Sequence, residues 1–471
     1  MYTGPLDCSK DKNTNLGTSI VNSVSVNQYE PICALATASG VGAISVVRVS
    51  GARCIELVDH CFKGANLTLA ESHTVHFGTI RQNKTIIDEV LVTVFRSPRS
   101  FTREDSVEIS CHGSDFIVRQ ILKLLVLGGA RIARPGEFTQ RAFLNGQFDL
   151  VQAEAVADLI AADSAASHRT ALTQLRGGFS KKLQLLREEL IHFASLVELE
   201  LDFGEEDVEF AQRDDLRQLI YKLQATIHPL IESFDYGNAL KDGIPVAIIG
   251  SPNVGKSTLL NALLNEEKAI VTEIAGTTRD VIEDTIVLEG VKFRFIDTAG
   301  IRVTQDIVES LGIERSRRAM EQADVVLMLF DSEATKQEVK VLVAGLPKEK
   351  KVIWVRNKVD LTTGAPKLPG DSISISAKTQ SGLEALKSIL LQQVQTNAAQ
   401  DTVVTNQRHY EHLLKTSQAL DEVLSGLDSG ITGDFLAQDI RLALYHLGEI
   451  TGTIVSDDLL ANIFSKFCIG K

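Results

Sequence analysis

Residues 250–257 read Gly-Ser-Pro-Asn-Val-Gly-Lys-Ser and fit the pattern G-x-x-x-x-G-K-[ST], whose residue types suit phosphate binding. The two glycines permit backbone angles at which successive N–H groups point toward an anion. Lys256 can reach the outer phosphates, and Ser257 can bind Mg²⁺. An apolar run at 244–249 precedes the motif and a helix-like segment at 259–264 follows it. The sequence therefore predicts a phosphate loop between a strand and the N-terminus of a helix.

Four further motifs follow this loop in chain order. They are Gly-Thr-Thr-Arg-Asp (276–280), Asp-Thr-Ala-Gly (297–300), Asn-Lys-Val-Asp (357–360) and Ser-Ala-Lys (376–378). Thr278 can add a hydroxyl to Mg²⁺, Asp297 can hold the water shell of the metal, and the Gly300 amide can sense a γ-phosphate. The loops that carry them should therefore order and relax with the nucleotide state.

The choice of base rests on Asp360. Its carboxylate can accept two hydrogen bonds from guanine, from the ring N–H and the exocyclic amine, and adenine offers no such pair of donors. A buried polar group left unpaired can cost discrimination of about 10⁴-fold. The motifs together predict a GTPase and not an ATPase.

The catalytic apparatus shows one departure from Ras-like proteins. Those proteins place a water-orienting Gln directly after the Asp-Thr-Ala-Gly string, and here the position is Ile301. An aliphatic side chain cannot orient water, so another polar group must do so. Arg279 and Arg302 are candidates for an arginine finger, although both suit surface or ion-pair roles as well.

The elements that position these motifs alternate between strand-like and helical runs. The strand-like runs are 245–249, 291–296, 325–330, 352–356 and 372–376, which predicts a doubly wound α/β domain with a parallel sheet. Apolar residues recur at helical spacing before this domain, which predicts two packed helices. The residues are Leu183, Leu186, Leu190, Phe193 and Val197, and then Leu216, Leu219, Leu223, Ile227 and Leu230.

A chain of 471 residues has room for roughly three domains. We expect an α/β multidomain protein with an N-terminal α+β domain at 31–148 and a helical domain in two parts, 149–240 and 398–471. A Ras-like P-loop GTPase domain at 241–397 is inserted between those parts. Residues 1–30 are rich in Ser, Asn, Asp and Thr and lack an apolar core, which predicts a disordered extension and not a signal peptide.

The composition limits the function classes. A net charge of −13 argues against broad, non-specific nucleic-acid binding, which needs a large basic surface. The six cysteines form no C-x-x-C pair, which favours a reducing cytoplasm over a disulfide framework or a zinc site. The sequence contains no run of about 18 apolar residues, so it predicts no membrane-spanning helix.

Two predicted strands of the N-terminal domain carry polar side chains. Ile44, Val46 and Arg48 share one face of the first strand, and Glu108 shares a face of the second with Ser110 and His112. Such faces suit a polar ligand pocket. The pattern alone favours ordinary solvated strand faces by roughly two to one.

The sequence resembles the tRNA-modifying GTPase family called MnmE or TrmE from about residue 31 to 471. The resemblance rests on Gly-Val-Gly-Ala-Ile-Ser-Val-Val-Arg-Val-Ser-Gly (40–51), Arg-Pro-Gly-Glu-Phe (134–138), Arg-Ala-Phe-Leu-Asn (141–145), Gly-Thr-Thr-Arg-Asp (276–280) and the terminal Phe-Cys-Ile-Gly-Lys (467–471). It implies a homodimer that forms a heterotetramer with the FAD-dependent partner MnmG (GidA). The implied reaction adds an aminomethyl or carboxymethylaminomethyl group to C5 of the tRNA wobble uridine.

The resemblance also implies site residues. K⁺ would occupy the place of an arginine finger when two G domains meet, and Glu309 would position the catalytic water. Without the resemblance, Glu309 reads as an exposed residue near the start of a helix. The K⁺ ligands and the further nucleotide contacts fall on the motif loops. The K⁺ ligands are Asn253, Thr272, Ile274 and Thr277, and the nucleotide contacts are Asn253, Val254, Gly255, Lys256, Ser257, Thr258, Thr272, Glu273, Ile274, Ala275, Gly276, Thr277, Thr278, Asp297, Thr298, Ala299, Gly300, Asn357, Lys358, Asp360, Ser376, Ala377 and Lys378.

The N-terminal domain of the family resembles folate-binding domains and holds a 5-formyl-tetrahydrofolate or a related folate. The matching residues are Arg48, Glu108, Gln147 and Lys471, and Gln147 replaces the usual Lys of the family. Cys468 would take part in the modification step, although a free thiol can also be inert. The alternative is a regulatory or ribosome-assembly GTPase, which would need neither a folate pocket nor a terminal thiol. A membrane-remodelling GTPase is disfavoured, because no basic or apolar membrane-binding segment is present.

Overall fold

The computed structural model describes residues 30–202, 212–266, 284–296, 317–343, 350–361, 372–392, 403–431 and 433–470. The predicted extension at 1–30 lies almost wholly outside them. The contacts divide the chain into two compact units. Unit 1 combines Met1–Gln147 with Ser456–Lys471, and unit 2 is Phe148–Val455. Within the described residues, no helix is both long and apolar enough to cross a membrane.

Unit 1 is built on a seven-stranded sheet in the order β3-β4-β5-β6-β2-β1-β7. The strands are β1 (Ile32–Leu35), β2 (Ile44–Ser50), β3 (Phe62–Lys63), β4 (Thr74–Gln82), β5 (Thr85–Phe95), β6 (Ser106–His112) and β7 (Arg131–Ile132). Neighbouring strands are antiparallel except β1 and β7, which are parallel. The sequence alternation therefore predicted β2 and β6 correctly.

The helices of unit 1 are α1 (Cys54–Cys61), α2 (Asp115–Leu127), α3 (Glu137–Leu144) and, from the C-terminal segment, α14 (Asp457–Ser465). Val47, Val49 and Ile109 turn into the hydrophobic core with Ile55 of α1 and Ile121 of α2. Because strand side chains alternate, the intervening residues of β2 and β6 lie on the other face of the sheet. That face carries Arg48 and Glu108.

Unit 2 contains a helical bundle whose chain is interrupted by the sheet domain. Its helices are α4 (Leu150–Ala161), α5 (Ala165–Leu175), α6 (Gly178–Asp202), α7 (Arg213–Glu232), α8 (Phe234–Lys241), α12 (Gln407–Ser429) and α13 (Gly433–Thr451). The two predicted apolar stripes are buried in one core, with Phe193 packed at its edge. Helix burial of this kind, more than propensity, stabilises the bundle.

The ends of the bundle helices follow from local sequence. Asp149 accepts a hydrogen bond from the Gln152 amide while the Gln152 side chain accepts from the Asp149 amide, so a capping box begins α4. Ser164 and Ser167 make the same arrangement at α5. Gly430, with φ +63°, ends α12 in the left-handed conformation that glycine adopts without strain.

The sheet domain has six strands in the order β13-β12-β11-β8-β10-β9. The strands are β8 (Ile244–Gly250), β9 (Asp284–Leu288), β10 (Val291–Phe295), β11 (Val325–Phe330), β12 (Lys351–Arg356) and β13 (Ser372–Ser374), and the helices are α9 (Lys256–Glu266), α10 (Glu333–Val343) and α11 (Leu383–Gln392). All neighbours are parallel except β9 and β10, which form an antiparallel hairpin. The parallel sheet predicted from the sequence is found from β13 to β10, and the antiparallel edge strand β9 was not among the predicted strands.

Candidate functional site

The phosphate motif lies where the sequence placed it, between β8 and α9. The hydrogen bond from the Leu259 amide to the Gly255 carbonyl starts the helical ladder directly after the loop. Val254 is buried, whereas Asn253 and Thr258 are exposed. Ser257 lies in the first turn of α9, where its hydroxyl is at the helix N-terminus. This arrangement suits an anion with an associated Mg²⁺.

Backbone conformation explains the loop residues. Gly255 has φ +99°, and a Cβ at this position would collide with the Asn357 side chain. A Cβ at Gly250 would meet the Leu329 carbonyl and the Val254 side chain, so the loop could not pass this close to β11. Asn253 has φ +63°, a conformation that Asn tolerates better than most residues. The loop geometry therefore gives Asn253 a backbone role that does not depend on a metal ion.

Lys256 is partly buried within the loop. Its Nζ donates to the carbonyls of Gly250 at 2.8 Å and Ser251 at 3.1 Å. Burial lowers the pKa of Lys256, because a desolvated ammonium is less stable than a hydrated one. A polyphosphate beside the ammonium would favour the charged form and reverse that direction.

The base-recognition motif joins the phosphate loop through Asn357. Its Nδ2 donates to the Val254 carbonyl at 2.8 Å, and its Oδ1 accepts from the Ala377 amide at 2.9 Å. Asn357 is 3% exposed, and its side-chain amide links these two loops. The backbone N–H of Asn357 donates to the Phe330 carbonyl at the end of β11. Three motifs that are distant in sequence thus meet at one side chain.

Asp360 and Lys358 have separate partners. Ser376 Oγ donates to Asp360 Oδ1 at 2.6 Å, and Asp360 remains exposed, so this carboxylate is available to a ligand. Lys358 Nζ lies 2.8 Å from Asp331 Oδ2. The hydrogen bond from Lys358 lowers the pKa of Asp331. Lys378 is exposed beside the site, and Asp331, which follows β11 directly, was not predicted.

The remaining predicted nucleotide and ion contacts lie outside the described residues. They are Thr272, Glu273, Ile274, Ala275, Gly276, Thr277, Thr278, Asp297, Thr298, Ala299, Gly300 and Glu309, and of the folate set Lys471.

A second polar site lies on the sheet of unit 1. Arg48 and Glu108 are direct cross-strand partners in β2 and β6. Arg48 Nη2 lies 2.9 Å from Glu108 Oε1, and both side chains are partly accessible, at 21% and 28%. The guanidinium of Arg48 also lies over two rings, 5.3 Å from the centroid of Phe101 and 5.7 Å from that of Phe138. The pair is therefore satisfied in itself and still open to a polar ligand.

The C-terminal segment packs in the same unit. The Gly136 amide donates to the Cys468 carbonyl at 3.3 Å, two residues before Phe138. A Cβ at Gly136 would meet the Phe464 carbonyl, and a Cβ at Gly470 would meet the Leu35 carbonyl at the end of β1. Two glycines thus permit close approach of the tail to the sheet.

The cysteines of the described residues differ in accessibility. Cys468 is the exposed one, whereas Cys33, Cys54 and Cys111 are buried and Cys61 is half-buried. Burial raises the pKa of Cys33 and of Cys111 to about 11, so these thiols stay protonated. Thiol chemistry in this part of the chain is therefore open to Cys468 rather than to the buried cysteines.

Gln147 is exposed, and its amide donates to the Ala142 carbonyl after α3. Within the described residues, its contacts do not join it to Arg48 or Glu108. The aromatic residues beside Arg48 were not predicted as site residues. The Arg-Pro-Gly-Glu-Phe string that ends in Phe138 held the available signal, because its glycine permits close approach of another chain segment.

Family comparisons cover nearly the whole chain. Residues 31–147 match the family described as GTP-binding protein TrmE N-terminus, and residues 150–468 match the MnmE helical domain. A tRNA modification GTPase MnmE of Cytophaga hutchinsonii is 56% identical over 94% of this chain and 98% of that protein. The proteins of the same name from Christiangramia forsetii and Bacteroides thetaiotaomicron are each 51% identical over 94% of this chain and 99% of their own length.

Among solved structures, the FeoB G-domain from Methanococcus jannaschii matches part of the chain. The match is 27% identical, covers 32% of this chain and 96% of that chain, and has a TM-score of 0.23. The chain belongs to the MnmE (TrmE) family of GTPases.

Proposed function

We propose that this GTPase acts in tRNA modification and, together with an FAD-dependent partner of the MnmG (GidA) type, adds an aminomethyl or carboxymethylaminomethyl group to C5 of the wobble uridine. A folate supplies the one-carbon unit. GTP hydrolysis drives opening and closing of the G domains and not the bond-forming chemistry. The names of the curated relatives support the tRNA substrate.

The observation that carries this proposal is the packing of the C-terminal segment in unit 1. The Cys468 carbonyl is bound by Gly136, and the ring of Phe138, two residues on, lies beside the guanidinium of Arg48. A nucleotide switch without further chemistry has no need for an exposed thiol on the same unit as a charged, ring-flanked pair. The paired charges and the rings suit a flat ligand with polar edges, as a pterin is.

The nucleotide chemistry of the proposal uses residues inside the described ranges and residues outside them. Ser257 and Thr278 would hold Mg²⁺, and Asn253, Thr272, Ile274 and Thr277 would hold K⁺. Bound cations would neutralise charge on the phosphates. Glu309 would orient the attacking water in place of a Gln at Ile301. The protein would act in the cytoplasm as a homodimer, in which a second G domain would complete each nucleotide site.

The decisive measurement is mass spectrometry of tRNA nucleosides from cells that lack the endogenous protein and carry this one. We expect wild type to restore the modified wobble uridine, and Cys468→Ala and Arg48→Ala to fail. Arg119→Ala is the matched control, because this exposed arginine lies on α2 of the same unit. Unmodified uridine with the wild-type protein would refute the proposal and favour a switch GTPase.

The role of potassium has its own test. GTP turnover in K⁺ should exceed turnover in Na⁺ at equal ionic strength by at least tenfold. Asn253→Gly, which removes the side-chain oxygen and tolerates the positive φ of this position, should remove that difference. Equal rates in the two salts would exclude potassium from the catalytic step.

A further inference from the structure

Two histidines face each other on the surface of the helical bundle. His412 lies one turn into α12, and His446 lies near the end of α13. The two Nδ1 atoms are 3.2 Å apart, and the ring centroids are 5.3 Å apart with an interplanar angle of 50°. The segment that connects α12 to α13 lies at the opposite end of these helices from the two histidines. The histidine pair therefore links the helices through space and not along the chain.

The separation of the two nitrogens fits a shared metal ion. Zinc–imidazole bonds are about 2.0–2.1 Å long, and a tetrahedral angle between two of them places the nitrogens about 3.4 Å apart. The observed pair would need to separate by only a few tenths of an ångström. A hydrogen bond from one neutral imidazole to the other also fits this distance, so a binding experiment must separate the two arrangements.

The pair is held on rigid elements and remains accessible. The residues that follow, Leu413 and Leu447, are fully buried in the bundle core, which fixes the backbone on both sides. Both histidines are half-buried, so solvent can reach the rings. Within the described part of the chain, no group of three or more metal-binding side chains is found. Water would therefore complete the coordination of an ion bound by this pair.

The surrounding charges set the state of the rings. Burial, together with Arg408, His446, Lys415 and His409, lowers the pKa of His412 to about 4. Burial and Lys415 lower the pKa of His446, while Glu449 opposes that change. Neutral imidazole is the form of histidine that binds metals. The cationic neighbours weaken attraction for a divalent ion, and Glu449 partly offsets them.

We propose that His412 and His446 form a two-histidine site for a divalent transition-metal ion that links α12 to α13. The nitrogen donors favour Cu²⁺, Ni²⁺ and Zn²⁺ over Mg²⁺, which prefers oxygen ligands. The site is thus chemically distinct from the Mg²⁺ position at the phosphate loop.

The test is calorimetric titration of the full-length protein with Ni²⁺. Every protein in the series carries Cys468→Ala, so that the exposed thiol does not compete for the metal. We expect one Ni²⁺ per chain, and an affinity at least tenfold lower in each of His412→Asn and His446→Asn. The matched control is His168→Ala, which removes an exposed histidine on α5 and should leave the affinity unchanged.

A second readout covers any change in folding. Far-UV circular dichroism should show the same helix content in all variants, because both side chains are partly exposed and Asn retains polarity. Ni²⁺ should slow amide hydrogen exchange in α12 and α13 of the parent protein and not of the two variants. Absence of Ni²⁺ binding, or an affinity that only one of the two substitutions lowers, would overturn the shared site.

Discussion

Replacement of Arg408 by Ala should be among the most destabilising single changes in the helical bundle. Arg408 Nε and Nη2 donate to the carboxylate of Glu154 on α4 at 3.1 and 2.8 Å. Its guanidinium also donates to the carbonyls of Glu449, at 2.5 Å, and Ile450, at 3.2 Å, in the last turn of α13. One side chain therefore ties three helices together and satisfies two helix-terminal carbonyls.

The magnitude follows from what the truncation would leave behind. Glu154 is 8% exposed and would keep only His409, whose Nε2 lies 2.7 Å from Oε2. Removing one partner of a buried ion pair costs about 3–5 kcal/mol, because the other charge stays buried without compensation. The matched control is Arg441→Ala, since the pair of Arg441 with Glu198 is exposed on both sides. Exposed pairs contribute about 0.2–1 kcal/mol.

The pH dependence acts in the same direction. Burial alone would raise the pKa of Glu154, but His409 and Arg408 lower it from 4.5 to about 2. A difference of this size corresponds to roughly 3 kcal/mol, which His409 and Arg408 share. Because the folded pKa is the lower one, the stabilisation is fully present above pH 4.5 and is lost as the pH falls toward 2. The difference in unfolding free energy between wild type and Arg408→Ala should decrease over the same pH range.

Native-state hydrogen exchange on the full chain is the appropriate assay, because it reports the opening free energy of individual helices. We expect protection of amides in α4 and the last turn of α13 to fall by roughly 10²-fold or more in Arg408→Ala at neutral pH. Arg441→Ala should change protection less than about tenfold. Equal losses in the two variants would show that burial does not strengthen the Arg408 pair, and the reasoning would fail.

Two further predictions concern the proposed sites. Asn357→Ala should lower GTP affinity at least tenfold in a fluorescent-nucleotide titration, because the Val254 carbonyl and Ala377 amide lose a buried partner, whereas exposed Lys340→Ala should have no effect. Gly470→Ala should abolish wobble-uridine modification and spare GTP hydrolysis, because a Cβ there collides with the sheet; Ile469→Ala, at an exposed neighbour, should retain modification.

The sequence predicted the polar face of unit 1 because strand alternation is strictly periodic. Val47, Val49 and Ile109 had to enter the core, and this alone placed Arg48 and Glu108 on the opposite face. Their direct pairing could not be read from the sequence, because it depends on the register between β2 and β6. The Phe101 and Phe138 rings come from a loop and a helix, and no periodic pattern connects them to Arg48.

The antiparallel edge of the sheet domain left a signal that a search for parallel strands overlooks. Glu289 and Gly290 both have positive φ, 47° and 85°, as the central residues of a tight hairpin turn do. Ile286 and Leu288 alternate toward the core before the turn, and Val291 and Phe293 follow it. The Glu-Gly pair is a weaker hairpin signal than Asn-Gly, so the strand was readable mainly from the alternation on both sides.

The glycine at 255 has two reasons to be there, and only one is the phosphate. A phosphate loop needs glycine for its backbone angles, which the sequence motif captures. In the structure, the side-chain amide of Asn357 occupies the place where a Cβ at position 255 would project. The same side-chain amide donates to the Val254 carbonyl. The base-recognition loop therefore fixes the shape of the phosphate loop by direct contact. Substituting Asn357 should alter phosphate binding as well as base selection, although Asn357 follows a different strand.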